Sequence, residues 1–94
     1  MADKMFYVYI LFSKKDRKFY IGFTNNLKRR INEHFNGKVI STNKRKPLIL
    51  AMYEAYSLKE DAKAREKFFK TTKGKVQLRK QLKTFLLNMS ADIV

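Results

Sequence analysis

Tyr20, Arg30 and His34 stand within fifteen residues of one another, in the stretch FYIGFTNNLKRRINEH from Phe19 to His34, and His34 is the single histidine of the chain. A phenol, a guanidinium and an imidazole suit a phosphodiester: they can orient it, neutralise its charge and move a proton. Arg30 and His34 lie four residues apart, so on a helix they share a face, one turn from each other. Tyr20 precedes Gly22 at the end of a strand that feeds that helix through a short turn. A second phenol, Tyr9, joins them if the preceding hairpin has a four-residue turn, Lys14 to Arg17. Leu11 then faces Tyr20, Tyr9 faces Gly22, and both tyrosines lie on one sheet face. A five-residue turn would separate them.

Phosphodiester cleavage also needs a metal ion or a substitute for one. Of the 8 carboxylates, most fall in turns or near termini, and Glu66 is the exception. It sits mid-helix in DAKAREKFFK, about 40° round from Ala62, at the edge of the buried stripe. One carboxylate cannot cage a metal, but Mg²⁺ commonly takes one or two together with water and phosphate oxygens. Each residue has a plainer use. Tyr9 and Tyr20 fit half-buried strand positions, and His34 suits the negative end of a helix. Arg30 suits a solvated face, Glu66 an i,i+4 pair with Lys70, and Gly22 a bulge or a close backbone approach. Order and spacing together favour the chemical reading.

The elements that must hold these groups follow from the pattern. MFYVYILF (5–12) is β-branched and aromatic throughout, a strand covered on both faces. KFYIGF (18–23) completes a hairpin with it. Asn25 and Asn26 are N-caps for a helix whose Leu27, Ile31 and Phe35 recur on one face, and Gly37 stops it. A polar, basic loop runs to Pro47. LILAMYEAY (48–56) reads as a third strand, with helix possible. Ser57 is expected to cap a second helix with Asp61 in its first turn and Leu58, Ala62 and Phe69 on its buried side. A break follows near Gly74, and then a third helix carries Val76, Leu78, Leu82, Phe85 and Leu86. The expectation is an α/β (α+β) sandwich, a small three-stranded antiparallel sheet flanked by helices in the order ββαβαα, forming one domain over 1–94.

With 22 Lys and Arg against 8 Asp and Glu, the formal net charge is +14. Such an excess opposes compaction and points to an anionic partner. Nucleic acid comes first, ahead of a membrane surface or a merely solubilising lysine coat. The distribution supports this order. Seven basic residues and no acid occur between Lys67 and Lys83, and four with no acid between Asn36 and Pro47. Lys38, Lys44, Arg45, Lys46, Lys70, Lys73 and Lys75 are the candidate nucleic-acid contacts. The absence of cysteine fits a reducing, cytoplasmic setting. No apolar run is long enough to span a bilayer, and MADKMFYVYI, with Asp3, does not read as a signal peptide.

Taken in order, Tyr7-Val8-Tyr9, Tyr20-Ile21-Gly22, Arg30, His34 and Glu66 within AKAREKFFK resemble the GIY-YIG nuclease domain. That family includes the N-terminal module of the bacterial excision-repair nuclease, some homing endonucleases and small stand-alone proteins. The likeness runs from about Phe6 to about Lys83. It departs from the family at Tyr7, where the first motif has glycine, and in lacking a match for a late asparagine. The resemblance implies a single-metal phosphodiesterase, with Glu66 holding Mg²⁺ or Mn²⁺ and Tyr9 positioning and deprotonating the attacking water. Tyr20 and Arg30 would hold the scissile phosphate, and His34 would assist proton movement or phosphate contact. The implied function is an endonuclease or nickase on DNA, in repair or recombination. Two alternatives stand beside it: a binding module that cleaves nothing, and a basic subunit of a larger assembly with an exposed apolar patch towards FLLNMSADIV (85–94).

Overall fold

β1 (Phe6–Ser13) is the middle strand of a three-stranded antiparallel sheet ordered β2-β1-β3, with β2 spanning Phe19–Thr24 and β3 Leu48–Tyr56. A computed structural model describes residues 4–91 of the chain, so Asp3 and the last three residues of the 85–94 stretch lie outside the described residues. The hairpin register is the one expected from a four-residue turn: Leu11 pairs with Tyr20 and Tyr9 with Gly22. Ser13 holds that turn. Its amide donates to the Lys18 carbonyl, its hydroxyl accepts the Lys15 and Asp16 amides, and Arg17 takes the left-handed conformation at φ 60°. Being the middle strand, β1 buries side chains on both of its faces.

α1 (Leu27–Phe35) follows β2 directly. The Asn26 side chain accepts the Arg29 amide at its start. At its end Lys38 N–H bonds the Glu33 carbonyl and Gly37 N–H the His34 carbonyl, with Gly37 at φ 74°. This double bond satisfies two orphan carbonyls and needs the left-handed residue that glycine supplies. A loop with one short 3₁₀ turn (Asn43–Arg45) leads into β3, which bulges at Ala51 because Ile10 pairs with Met52 and Leu11 with Leu50.

α2 (Lys59–Phe69), α3 (Thr72–Gln81) and α4 (Lys83–Ala91) complete the order. Three expectations are corrected here. Leu58, not Ser57, occupies the N-cap of α2, and no side chain caps it. The break between α2 and α3 falls at Lys70–Thr71, where Thr71 accepts the Gly74 amide. Gly74 is instead buried in the first turn of α3, where a Cβ would sit 1.9 Å from the Phe68 carbonyl oxygen. The last segment is two helices rather than one, bent at the buried Leu82, and Phe85 beyond the bend meets Phe12 edge-on at 5.6 Å.

The sheet separates two interiors. On one side Val8, Ile10 and Ile21 pack with Ala62, Phe69, Leu78 and Leu82 of α2, α3 and the bend. On the other, Tyr9 and Leu11 pack with Ile31 of α1, beside Tyr20, Leu27, Leu48 and Leu50. Among the described residues no helix is long and apolar enough to cross a membrane.

Candidate active site

Alternation along β1 turns Tyr9 towards α1 while its neighbours Val8 and Ile10 face the apolar interior. Opposite Tyr9 the partner residue is Gly22, and the phenol lies across it: a Cβ there would stand 2.3 Å from Tyr9 Cζ and 2.4 Å from Tyr9 Oη. The glycine is therefore a close approach, and the sheet's bulge lies elsewhere, on β3. Tyr20 is diagonal to Tyr9 on the same face, ring centroids 6.3 Å apart. His34 meets both rings edge-on, at 5.4 Å from Tyr9 and 5.1 Å from Tyr20.

Tyr9 and His34 are buried to 1 % and 0 % exposure. Tyr9 Oη and His34 Nε2 are 2.8 Å apart, and His34 Nδ1 lies 2.7 Å from the hydroxyl of Thr42, itself fully buried. Burial pushes the Tyr9 phenol up to about 12, against an opposing hydrogen-bonding interaction with Arg30, while Tyr20 and Glu66 add smaller upward contributions. Burial likewise pushes His34 down to about 4, assisted by the Arg30 charge. The imidazole is neutral at pH 7, so the helix macrodipole does not account for it.

Arg30 acts on the phenol electrostatically and bonds Glu33, Nη1 to Oε1 at 3.0 Å, and its side chain keeps 36 % exposure. Tyr20 is half-buried. Glu66, on α2, is close enough to act on Tyr9 electrostatically although its helix packs on the opposite sheet face. Its carboxylate is bracketed by Lys63 at 3.3 Å and Lys70 at 3.1 Å, and its side chain is 14 % exposed. Tyr20, Arg30 and Glu66 retain accessible surface, whereas Tyr9, His34 and Thr42 are buried.

Among the described residues no cluster of three or more His, Asp or Glu side chains is set to take a metal ion. Of the candidate residues Glu66 is the one carboxylate, with Glu33 beside Arg30 as a second acid nearby, and such a donor set suits a dication keeping most of its ligands as water and phosphate oxygen.

The proposed phosphate contacts are scattered. Arg45 is committed within the fold, with Nε 2.5 Å from Asp16 and Nη2 on the Lys18 and Phe19 carbonyls, and Lys70 pairs with Glu66. That hydrogen bond from Arg45 holds the Asp16 carboxyl below its usual range. Lys44 is exposed on the 3₁₀ turn, and Lys46 extends beside Gly37. Lys75 joins Lys18 and Arg79 around Phe19 and Leu78, and Lys73 joins Lys80 beside Phe68 and Val76. Lys38 lines an open cleft of about 480 Å³ with Lys28, Arg29, Asn32 and Glu33. Lys28 and Arg29 were not among the candidate contacts read from the sequence, and both are exposed on α1. Thr42 was missed too, and its faint signal is the apolar pair Val39-Ile40 in a polar loop, of which Val39 is buried and Ile40 exposed.

Comparison with known proteins gives consistent results. The model of the GIY-YIG catalytic domain matches residues 5–81. A UPF0213 protein of Limosilactobacillus reuteri is 39 % identical over 100 % of this chain and 95 % of its own length. One of Clostridium perfringens is 43 % identical over 79 % of this chain and 82 % of its own. The solution NMR structure of a UPF0213 protein from Bacillus halodurans is similar at a TM-score of 0.53 and 36 % identity, covering 82 % of this chain and 84 % of that one.

Proposed function

The chain belongs to the GIY-YIG family, a nuclease domain family, and from that premise we propose that it is a divalent-metal-dependent endonuclease or nickase hydrolysing phosphodiester bonds in DNA. The observation that carries this reading is the convergence of Tyr9, Tyr20 and His34, with ring centroids no more than 6.3 Å apart, on a phenol that both Arg30 and Glu66 act on. Four of these five residues sit on β1, β2 and α1, and the fifth comes from the other side of the sheet.

In this reading the accessible residues meet the substrate. Arg30 neutralises the scissile phosphate, and Tyr20 orients it by its hydroxyl. Glu66 would hold Mg²⁺, or Mn²⁺, which when bound stabilises negative charge on phosphate oxygens. Doing so means exchanging its lysine partners, Lys63 and Lys70, which are then released towards the nucleic acid. The buried residues handle the proton. A phenol near 12 is protonated at pH 7, so Tyr9 acts as a relay: its oxygen takes the proton of the attacking water as its own proton passes to His34 Nε2, 2.8 Å away. His34, fully buried, is assigned proton movement rather than phosphate contact. The basic residues Lys38, Lys44, Lys46, Lys73 and Lys75, with Lys28 and Arg29, provide sequence-independent affinity. Repair or recombination in the cytoplasm is the proposed setting.

The test is a cleavage screen of branched, nicked, single-stranded and duplex DNA, with Mg²⁺ or Mn²⁺ against EDTA. Metal-dependent cutting of at least one substrate is expected. Binding without cutting in any metal would replace the enzyme by a binding module on the same fold, a reading that the two lysines neutralising Glu66 favour.

A further inference from the structure

Behind Tyr9 and His34 stands a residue from a different part of the chain. Thr42 lies in the loop between α1 and β3, and its hydroxyl is 2.7 Å from His34 Nδ1. We propose that Thr42 is a positioning residue: its hydroxyl accepts the Nδ1–H of His34, and so keeps Nε2 free to accept the proton of Tyr9.

The direction of the two hydrogen bonds follows from the donors present. A guanidinium has no acceptor atom, so Arg30, whose charge acts on Tyr9, cannot take the phenol proton. The phenol proton is left to an acceptor on its buried side, and His34 Nε2 lies there at 2.8 Å. An imidazole that accepts at Nε2 and is neutral carries its hydrogen on Nδ1, facing Thr42 Oγ1. His34 is neutral at pH 7, its pKa being near 4.

The loop is built to keep that oxygen in place. Thr42 N–H donates to the Val39 carbonyl at 3.1 Å, and the Thr42 carbonyl accepts Arg45 N–H at 2.9 Å. Arg45 is in turn fixed to the β1–β2 hairpin: Ser13 Oγ donates to its carbonyl at 2.5 Å, and its side chain is paired with Asp16. The hairpin that sets Tyr9 against Gly22 thus also anchors the loop that sets the tautomer of the histidine serving Tyr9. At metal centres the residue bonded to the far nitrogen of a histidine commonly changes activity by about 10- to 100-fold when removed, and Thr42 stands in the same relation to His34.

The catalytic part of this proposal rests on the nuclease reading above; the tautomer part does not. With ¹⁵N-labelled histidine, wild type and Thr42→Ser should both show His34 with a protonated Nδ1 and an unprotonated Nε2. Thr42→Val, equal in shape but without an acceptor, should shift the majority of His34 to the Nε2–H form. If the protein cleaves nucleic acid, Thr42→Val should lower kcat by about 10- to 100-fold at unchanged KM, with Thr42→Ser close to wild type. Wild-type His34 in the Nε2–H form overturns the proposal even if the valine variant does not fold. So does a folded Thr42→Val that keeps the wild-type tautomer, or one that shifts tautomer and still cleaves at the wild-type kcat. Should no substrate be cut at all, the nuclease reading fails, and the spectra alone decide the assignment of Thr42.

Discussion

One sheet divides two interiors of opposite character. The face towards α2, α3 and the Leu82 bend has an apolar centre of Val8, Ile10, Ile21, Ala62, Phe69 and Leu78, with the polar groups of Tyr56 and Arg65 at its margin bonded to Glu54. The face towards α1 buries a phenol, an imidazole and a hydroxyl in a row, every one hydrogen-bonded, and no described buried side-chain polar atom is left without a partner. Burying such groups costs free energy that hydrogen bonds at most roughly repay, whereas apolar packing stabilises outright. The same strand builds both, residue by residue. Stability is concentrated on one side, and the capacity for proton chemistry on the other.

Substitutions can break that division from either side. The largest loss of stability is expected from Phe69→Ala in the apolar interior, where Phe69 has no exposure: about 3–5 kcal/mol in urea unfolding. The polar interior should reveal itself through pH. The folded-state pKa of His34, about 4, lies below its unfolded value near 6.5, so between these limits the unfolded chain binds a proton that the folded one refuses. Stability should be level above about pH 6.5 and fall by up to about 3 kcal/mol as pH drops towards 4. His34→Gln should flatten that slope, which unfolding curves at several pH values would check. Gly22→Ala comes next, because its methyl group must displace the Tyr9 ring: about 1–3 kcal/mol, with a changed ultraviolet titration of the phenol.

Most of what positions the site was legible in the sequence. The sequence left a four- or a five-residue turn open, and the four-residue one pairs Tyr9 with Gly22, while Asn26 and Gly37 bounded α1 because caps are local chemistry. Side-chain burial was less legible. Phe35 was expected on the buried stripe of α1 and is 40 % exposed, because His34, three residues from Ile31, fills the place. Leu58 and Val76 likewise continue an apolar periodicity outside the packed surface, Leu58 because it precedes the first turn of α2. Leu87 of α4 is also exposed, but Phe85 and Leu86 beside it are half-buried, so the described residues show one exposed side chain where an apolar patch was expected. Thr42 was hard to read for a different reason. A polar residue in a polar loop carries no periodic signal, and its partner lies eight residues away through a fold that only the coordinates reveal.

The central claim is that the accessible groups Tyr20, Arg30 and Glu66 act on a phosphodiester, and Glu66→Gln tests it most directly. As a surface ion-pair partner of Lys63 and Lys70, Glu66 should contribute at most about 1 kcal/mol to stability. The account predicts a variant that folds with nearly wild-type stability and still binds DNA, since the lysines and arginines remain, yet no longer cleaves in Mg²⁺ or Mn²⁺. Affinity without metal should rise slightly, one negative charge having left the surface. A Glu66→Gln protein cutting at the wild-type rate would contradict the account.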